Sequence, residues 1–231
     1  MKGRSIVISG AFGALGRVVA EAAAKRGALV AALDGAPPPT GLGERLGPDA
    51  LLLGGVDLRA EASAGKAMAQ VKSRFGRIDA LVNIAGAFKW ETVADGKPET
   101  WVDLFAVNLT TVLNASKAAL PHLIESGAGR IVNVGALGAL KAGAGFGAYG
   151  ASKSAVHRLT EAMAEELKNR GVTVNAVLPS IIDTPANRAA MPEADFTRWV
   201  APADLAAVIL FLASDEARAV TGALLPVAGR V

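Results

Sequence analysis

Residues 4–16 read RSIVISGAFGALG. The first six, Arg4–Ser9, are short, apolar and rich in Ile, the pattern of a buried strand. Glycines then fall at positions 10, 13 and 16. From Ala14 to Arg26 apolar residues recur at helical spacing until Gly27 offers a C-cap. Strand, glycine-rich turn and helix in this order form a phosphate cradle. Glycine lets the backbone turn tightly and approach a pyrophosphate, and the helix N-terminus presents free N–H groups and a positive dipole end. Gly10, Phe12, Gly13, Ala14 and Leu15 are therefore candidate dinucleotide contacts. Lys2 and Arg4 before an apolar run loosely resemble a secretory leader, but the glycines fit a phosphate loop and no small-residue cleavage pattern follows.

Working outward, short β-rich runs alternate with Ala-rich helical stretches. Strands are expected at Arg4–Ser9, Ala28–Leu33, Ala50–Leu53, Ile78–Ile84, Gly129–Val134, Val172–Leu178 and Ala223–Val227. Helices are expected at Ala14–Arg26, Ala60–Phe75, Pro98–Ser126 (bent near Pro121), Ala148–Arg170 and Pro202–Ala213, with a Gly- and Pro-rich loop over Asp34–Pro48. Apolar strands joined by helical crossovers imply an α/β fold: one doubly wound parallel sheet of about seven strands with helices on both faces. No linker, repeat or low-complexity tract interrupts residues 1–231, so one domain is expected. Ligands of such sheets lie at the carboxyl ends of the strands, near the topological switch point.

Composition excludes several classes. The longest stretch free of Asp, Glu, Lys and Arg runs from Leu104 to Ser116, 13 residues, against about 20 for a membrane-spanning helix. The absence of cysteine removes disulfide scaffolds, thiolate metal sites and cysteine nucleophiles, and fits a reducing compartment such as the cytoplasm. The net charge of +3 comes from scattered bases with no run of four, and aromatics are only 5%, so no nucleic-acid partner is expected. His122 and His157 show no metal-ligand spacing; no metal is expected, and both histidines read as surface or subunit-contact residues.

Asp34 ends the second strand, 18 residues after Gly16. A carboxylate there accepts hydrogen bonds from the adenosine ribose hydroxyls and repels a 2′-phosphate. No Arg or Lys follows until Arg45, so NAD(H) is favoured over NADP(H). Asp57-Leu58 ends the third strand, where an acidic side chain reaches toward the adenine amino group.

Tyr149-Gly-Ala-Ser-Lys153 opens a helix, and positions i and i+4 share a face. A free Tyr titrates near pH 10. An ammonium beside it favours the phenolate, which makes Tyr149 a usable acid or base near neutrality. Taken alone the spacing is common. After the fifth strand of a dinucleotide fold it is specific.

Over nearly its full length the chain resembles the short-chain dehydrogenase/reductase superfamily, a Rossmann-type group. The resemblance rests on Ser9–Gly16, Asp57-Leu58, Asn83-Ile84-Ala85-Gly86, Asn108, Tyr149 with Lys153, and Pro179–Pro185 (PSIIDTP). It implies that Tyr149 transfers a proton while the nicotinamide transfers a hydride. By the same resemblance Lys153 holds the nicotinamide ribose, and Asn108 positions a water in a proton relay. The turn of Asn83, Ala85 and Gly86 then packs under the cofactor, and the segment after Pro179, including Ile182, contacts the nicotinamide. Pairing of the long helices, Pro98–Ser126 and Ala148–Arg170, is implied too, giving a homodimer or homotetramer.

Two departures matter. Ala14 takes the middle glycine position of the family loop, with Gly13 one place earlier. The family's catalytic Ser, 13 residues before the Tyr, is Ala136 here. Loss of one donor to a developing oxyanion costs about 2.7–4 kcal/mol. Ser152 and Ser154 lack the family position and read as surface or packing residues. The quinonoid dihydropteridine reductase branch also carries Ala at the Ser position. It resembles this chain further in Gly13-Ala-Leu-Gly16 and most closely from Asp183 to Trp199 (DTPANRAAMPEADFTRW). That branch carries a Trp shortly after its Ala-Gly turn, where this chain has Phe88 and then Trp90. A quinonoid acceptor takes hydride into a conjugated imine system and a proton on nitrogen, so no alkoxide forms. The expected function is thus reduction of a small quinonoid or imine-like molecule, with residues 183–200 as a substrate lid. The alternatives are a general carbonyl reductase or alcohol dehydrogenase, and a non-catalytic dinucleotide-binding sensor.

Overall fold

The period-two alternation of the strands assigns their side chains to two opposite layers. In the computed structural model, which describes Met1–Val231, Ile6 and Ile8 of β1 (Ser5–Ser9) and Val30 and Ala32 of β2 (Leu29–Leu33) pack in one core. Val19 of α1 (Ala14–Lys25) joins it, as do Leu205 and Ile209 of α8 (Pro202–Leu212). Val7, Ala31, Leu33 and Leu81 point to the other face. There they meet Met68 of α3 (Glu61–Phe75), Leu123 of α5 (Thr111–Glu125) and Met163 of α6 (Gly147–Leu167). Each face alone would leave a row of aliphatic side chains in water, so helices on both sides are required.

The sheet adds β3 (Leu51–Leu53), β4 (Ala80–Asn83), β5 (Gly129–Val134), β6 (Val172–Pro179) and β7 (Leu224–Val227). Its order is β3-β2-β1-β4-β5-β6-β7 and every pairing is parallel. The winding reverses between β1 and β4, and their carboxyl ends, Ser9 and Asn83, are in register. At this switch point a crevice opens. At the far edge, the carbonyls of Ala223 and Val227 accept from β6, so the intervening Pro226 turns its backbone outward.

The expected seven strands and their order of alternation are present. Three local features differ. A short helix, α2 (Leu42–Leu46), sits in the expected loop, because Leu42 and Leu46 are buried one turn apart against the α1 side of the sheet. Another, α7 (Pro185–Ala190), starts with Thr184 capping the Asn187 N–H. The long helical region is interrupted at Ala106–Thr110, not at Pro121. Here α4 (Pro98–Phe105) widens to π geometry before α5 begins, with Asn108 fully buried in the widened turn. No helix is long and apolar enough to cross a membrane.

Candidate active site

The crevice at the switch point is a cleft of about 690 Å³. Gly10, Phe12, Gly13, Ala14 and Leu15 form one wall, and Ala85 and Gly86 close the floor. Asp34, Asp57 and Leu58 line it too. Two glycines are required by close approach. A Cβ on Gly10 would lie 2.6 Å from the Ala85 nitrogen, and one on Gly16 would lie 2.0 Å from the Gly10 carbonyl. The turn is therefore closed on itself beside the N-terminus of α1, a cradle shaped for a pyrophosphate. Asp34 braces it: Oδ2 accepts from the Phe12 N–H at 3.0 Å and Oδ1 from the Ala36 N–H at 3.0 Å.

The same cleft contains a residue that motif reasoning missed. Arg59 lines it and donates from Nε and Nη2 to the two Asp57 oxygens, both at 2.9 Å. This bidentate grip holds the Asp57 carboxyl below its ordinary range. The only signal was the Asp-x-Arg spacing, which lies in the loop between β3 and α3, since β3 ends at Leu53 and not at the expected Asp57-Leu58. Val107, within the π turn, and Thr111, just after it, also line the cleft.

Asn83 lies outside it, buried, its Nδ2 donating to Asn133 Oδ1 at 2.9 Å and to Ser116 Oγ at 3.3 Å. It ties β4 to β5 and α5 and reaches the cleft only through the backbone that follows. Pro179 is buried at the end of β6, and Ile182 is half-buried in a bridge to Val200. Neither lines the cleft.

The reaction centre gathers around Gly86. A Cβ there would meet Asn108 Oδ1 at 2.7 Å and Lys153 Nζ at 3.2 Å, so the two candidate side chains converge on one glycine. Asn108 uses its whole amide. Oδ1 accepts from the Ala87 N–H at 2.8 Å, while Nδ2 donates to the Ala87 carbonyl at 3.0 Å and to Ser152 Oγ at 2.9 Å. Ser152 passes a hydrogen bond on to the Tyr149 carbonyl at 2.8 Å. It is thus a fully buried link between the π turn and the Tyr149 helix. Lys153 donates to the Val134 carbonyl at 2.8 Å, and burial pushes its ammonium down to about 8.

Tyr149 packs edge-on to Phe88 (centroids 4.9 Å apart) and Phe146 (6.0 Å). Burial pushes its phenol up to about 12. The direction is opposite to the lowering expected from the Lys153 ammonium, because burial among aromatic rings disfavours the charged phenolate.

His157 is not a surface residue. It is 2% exposed, and its Nε2 accepts from the Ala136 N–H at 3.3 Å. Burial, with the charges of Arg158 and Lys153, pushes it down to about 4. Its spacing from Lys153 was visible in the sequence; its burial depends on where β5 ends.

After β6, Arg188 forms a bidentate pair with Asp183 and lies 4.8 Å from the centre of the Phe196 ring. Phe196 in turn packs on Trp199, which is 8% exposed. The 183–199 run is thus ordered by its own charged and aromatic stack, anchored at the buried Trp199. No group of three or more acidic or imidazole side chains is arranged to hold a metal ion.

A cradle sized for pyrophosphate, a Tyr–Lys pair one helical turn apart and an Asn buried in a π turn are the parts of a nicotinamide-dependent oxidoreductase. Residues 4–195 match the short chain dehydrogenase family, and the chain belongs to it. Among its relatives, 3-oxoacyl-(acyl-carrier-protein) reductase FabG of Vibrio harveyi is 33% identical, with 99% of this chain and 97% of that protein covered. The 2-(S)-hydroxypropyl-CoM dehydrogenase 3 of Xanthobacter autotrophicus is 34% identical over 99% of this chain and 96% of its own. The structure of carveol dehydrogenase from Mycobacterium avium in complex with NAD superposes with a TM-score of 0.89 at 29% identity, covering 99% of this chain and 97% of that one.

Proposed function

We propose that this oxidoreductase binds NAD(H) in preference to NADP(H) and reduces a planar quinonoid or conjugated imine acceptor, with dihydropterins in that class. The observation that carries the proposal is Ala136. The residue expected to donate a hydroxyl to a ketone oxygen has none, and its N–H is taken by His157. An acceptor that never develops an alkoxide does not need that donor.

When bound, NADH would supply the hydride to the conjugated C=N system of the acceptor. Tyr149, neutral with its phenol at about 12, supplies the proton to the ring nitrogen. Phe88, 55% exposed beside Tyr149, offers an apolar aromatic face for a flat ring. Lys153 and Asn108 flank Gly86; Lys153 would hold the ribose side of the cofactor and return a proton to Tyr149, while Asn108 fixes the Ala87 backbone beside it. Asp34 supports NAD(H), since a carboxylate at the end of β2 repels a 2′-phosphate. Residues 183–200 serve as the lid. The active form is a cytoplasmic homodimer or homotetramer paired through α4–α5 and α6, the whole of 1–231 acting as one domain.

A second reading has specific support. Relatives at 33–34% identity reduce oxoacyl thioesters or oxidise a hydroxypropyl group by name, and a ketone substrate fits that company. NADH oxidation separates the two, measured with fresh quinonoid dihydropterin and with a 3-oxoacyl thioester in parallel. We expect turnover of the dihydropterin well above its chemical background and slowed at least about 10²-fold in Tyr149→Phe. Turnover of the thioester alone would establish the second reading, and full activity of Tyr149→Phe would remove Tyr149 from the chemistry.

A further inference from the structure

We infer that His157 is a positioning residue for the reduction: its Nε2 holds the backbone of residue 136 and so fixes the end of β5 against the helix that carries Tyr149 and Lys153. The inference rests on the reading of Tyr149 and Lys153 as the reacting pair. Lys153 and His157 stand one turn apart on α6 and grip alternate residues of the same strand end. Lys153 donates to the Val134 carbonyl at 2.8 Å; His157 accepts from the Ala136 N–H at 3.3 Å. A donor and an acceptor, spaced i and i+4, therefore read a carbonyl and an amide spaced i and i+2 on the facing chain.

The residue between them has the shape this arrangement needs. A Cβ on Gly135 would lie 2.5 Å from His157 Nε2 and 2.6 Å from Leu178 Cδ2. Only glycine lets the ring approach. Gly135 meanwhile donates to the Val177 carbonyl at 2.9 Å, so the strand pairing with β6 continues to the point where His157 takes over. The consequence for the site is twofold. Residue 136 has no amide free for an acceptor, because its N–H is turned into the imidazole. The Val134 carbonyl that holds the Lys153 ammonium is also kept in place by the same pinned strand end.

The bond requires the neutral ring with its proton on Nδ1. The chain has two histidines, so nitrogen-15 NMR of the imidazoles in the intact protein resolves both. The expected result at pH 7 is an Nδ1–H tautomer for His157 with an acceptor-shifted Nε2 signal. That measurement needs no variant. Turnover is then compared in His157→Gln and His157→Leu, with NADH and the two acceptors named above as probes. A Gln amide oxygen reaches the place of Nε2 and accepts the same N–H; Leu fills the volume without accepting. We expect the Gln variant to keep most of the wild-type kcat. The Leu variant should lose on the order of tenfold or more in kcat with KM for NADH little changed. An Nε2–H tautomer, or equal kcat in the Gln and Leu variants, would overturn the inference. Tyr149→Phe measured alongside separates the failures. Full activity there sinks the reacting-pair reading, while the tautomer still reports on the His157 bond.

Discussion

At Ala136 a methyl group stands where a serine hydroxyl was expected. Ala136→Ser restores a hydroxyl at the strand end without disturbing the N–H held by His157. We expect it to raise kcat/KM for a 3-oxoacyl thioester by on the order of 10²-fold, the reverse of a typical oxyanion-donor deletion. Reduction of a quinonoid acceptor should change little. Paired kinetics on both substrates check this, and an equal gain on both would count against it. The pH dependence follows from Lys153, whose folded value of about 8 lies below the ordinary lysine range. Below pH 8 the ammonium is charged and can pass a proton toward Tyr149; above it that charge is lost. Tyr149, near 12, stays protonated throughout. The reductive kcat should therefore fall as pH rises through about 8, and a profile flat to pH 10 would show that Lys153 does not act in this way. Tyr149 and Lys153 were singled out by their spacing and Asn108 by the family resemblance, and the structure brings Lys153 and Asn108 together at Gly86. His157, Ser152 and Arg59 were not legible. Their roles come from burial and from partners far along the chain, such as Ala136 for His157, and a single sequence does not display which strand end a helix face meets.

At the scale of elements, the run after β6 is held by a stack from Asp183 through Arg188 and Phe196 to Trp199. Its outer members are exposed, and exposed ion pairs contribute only about 0–1 kcal/mol. Arg188→Met should thus leave the melting temperature almost unchanged. If residues 183–200 cover the substrate, KM for the acceptor should rise several-fold while KM for NADH stays constant. A variant with unaltered acceptor KM would show that this segment is not a lid. A bend in the long helix was expected near Pro121, which lacks an N–H and lies inside the continuous α5; the interruption of the helix was not expected. It lies at Ala106–Thr110, where Asn108 uses its amide on Ala87 and Ser152. Proline advertises itself in a sequence; a side chain paying with three hydrogen bonds for a widened turn does not.

For the whole molecule, the alternation of apolar strands and helical crossovers was enough to read the sheet, because parallel strands need both faces covered. The number of copies was not readable. Val102 on α4 and Leu113 on α5 are 69% and 37% exposed, apolar positions on the helices expected to pair. Light scattering should give a mass at least double the 23.4 kDa of one chain; a value near 23.4 kDa would refute pairing. The outward-facing Pro226 constrains how any such assembly is built. The free margin of β7 lacks a donor at its centre, and β3 at the opposite margin has only three residues. Neither rim is a good template for another chain's backbone. Copies are therefore steered toward side-chain contacts that close on themselves, and away from the open-ended ribbon growth by which exposed strands precipitate.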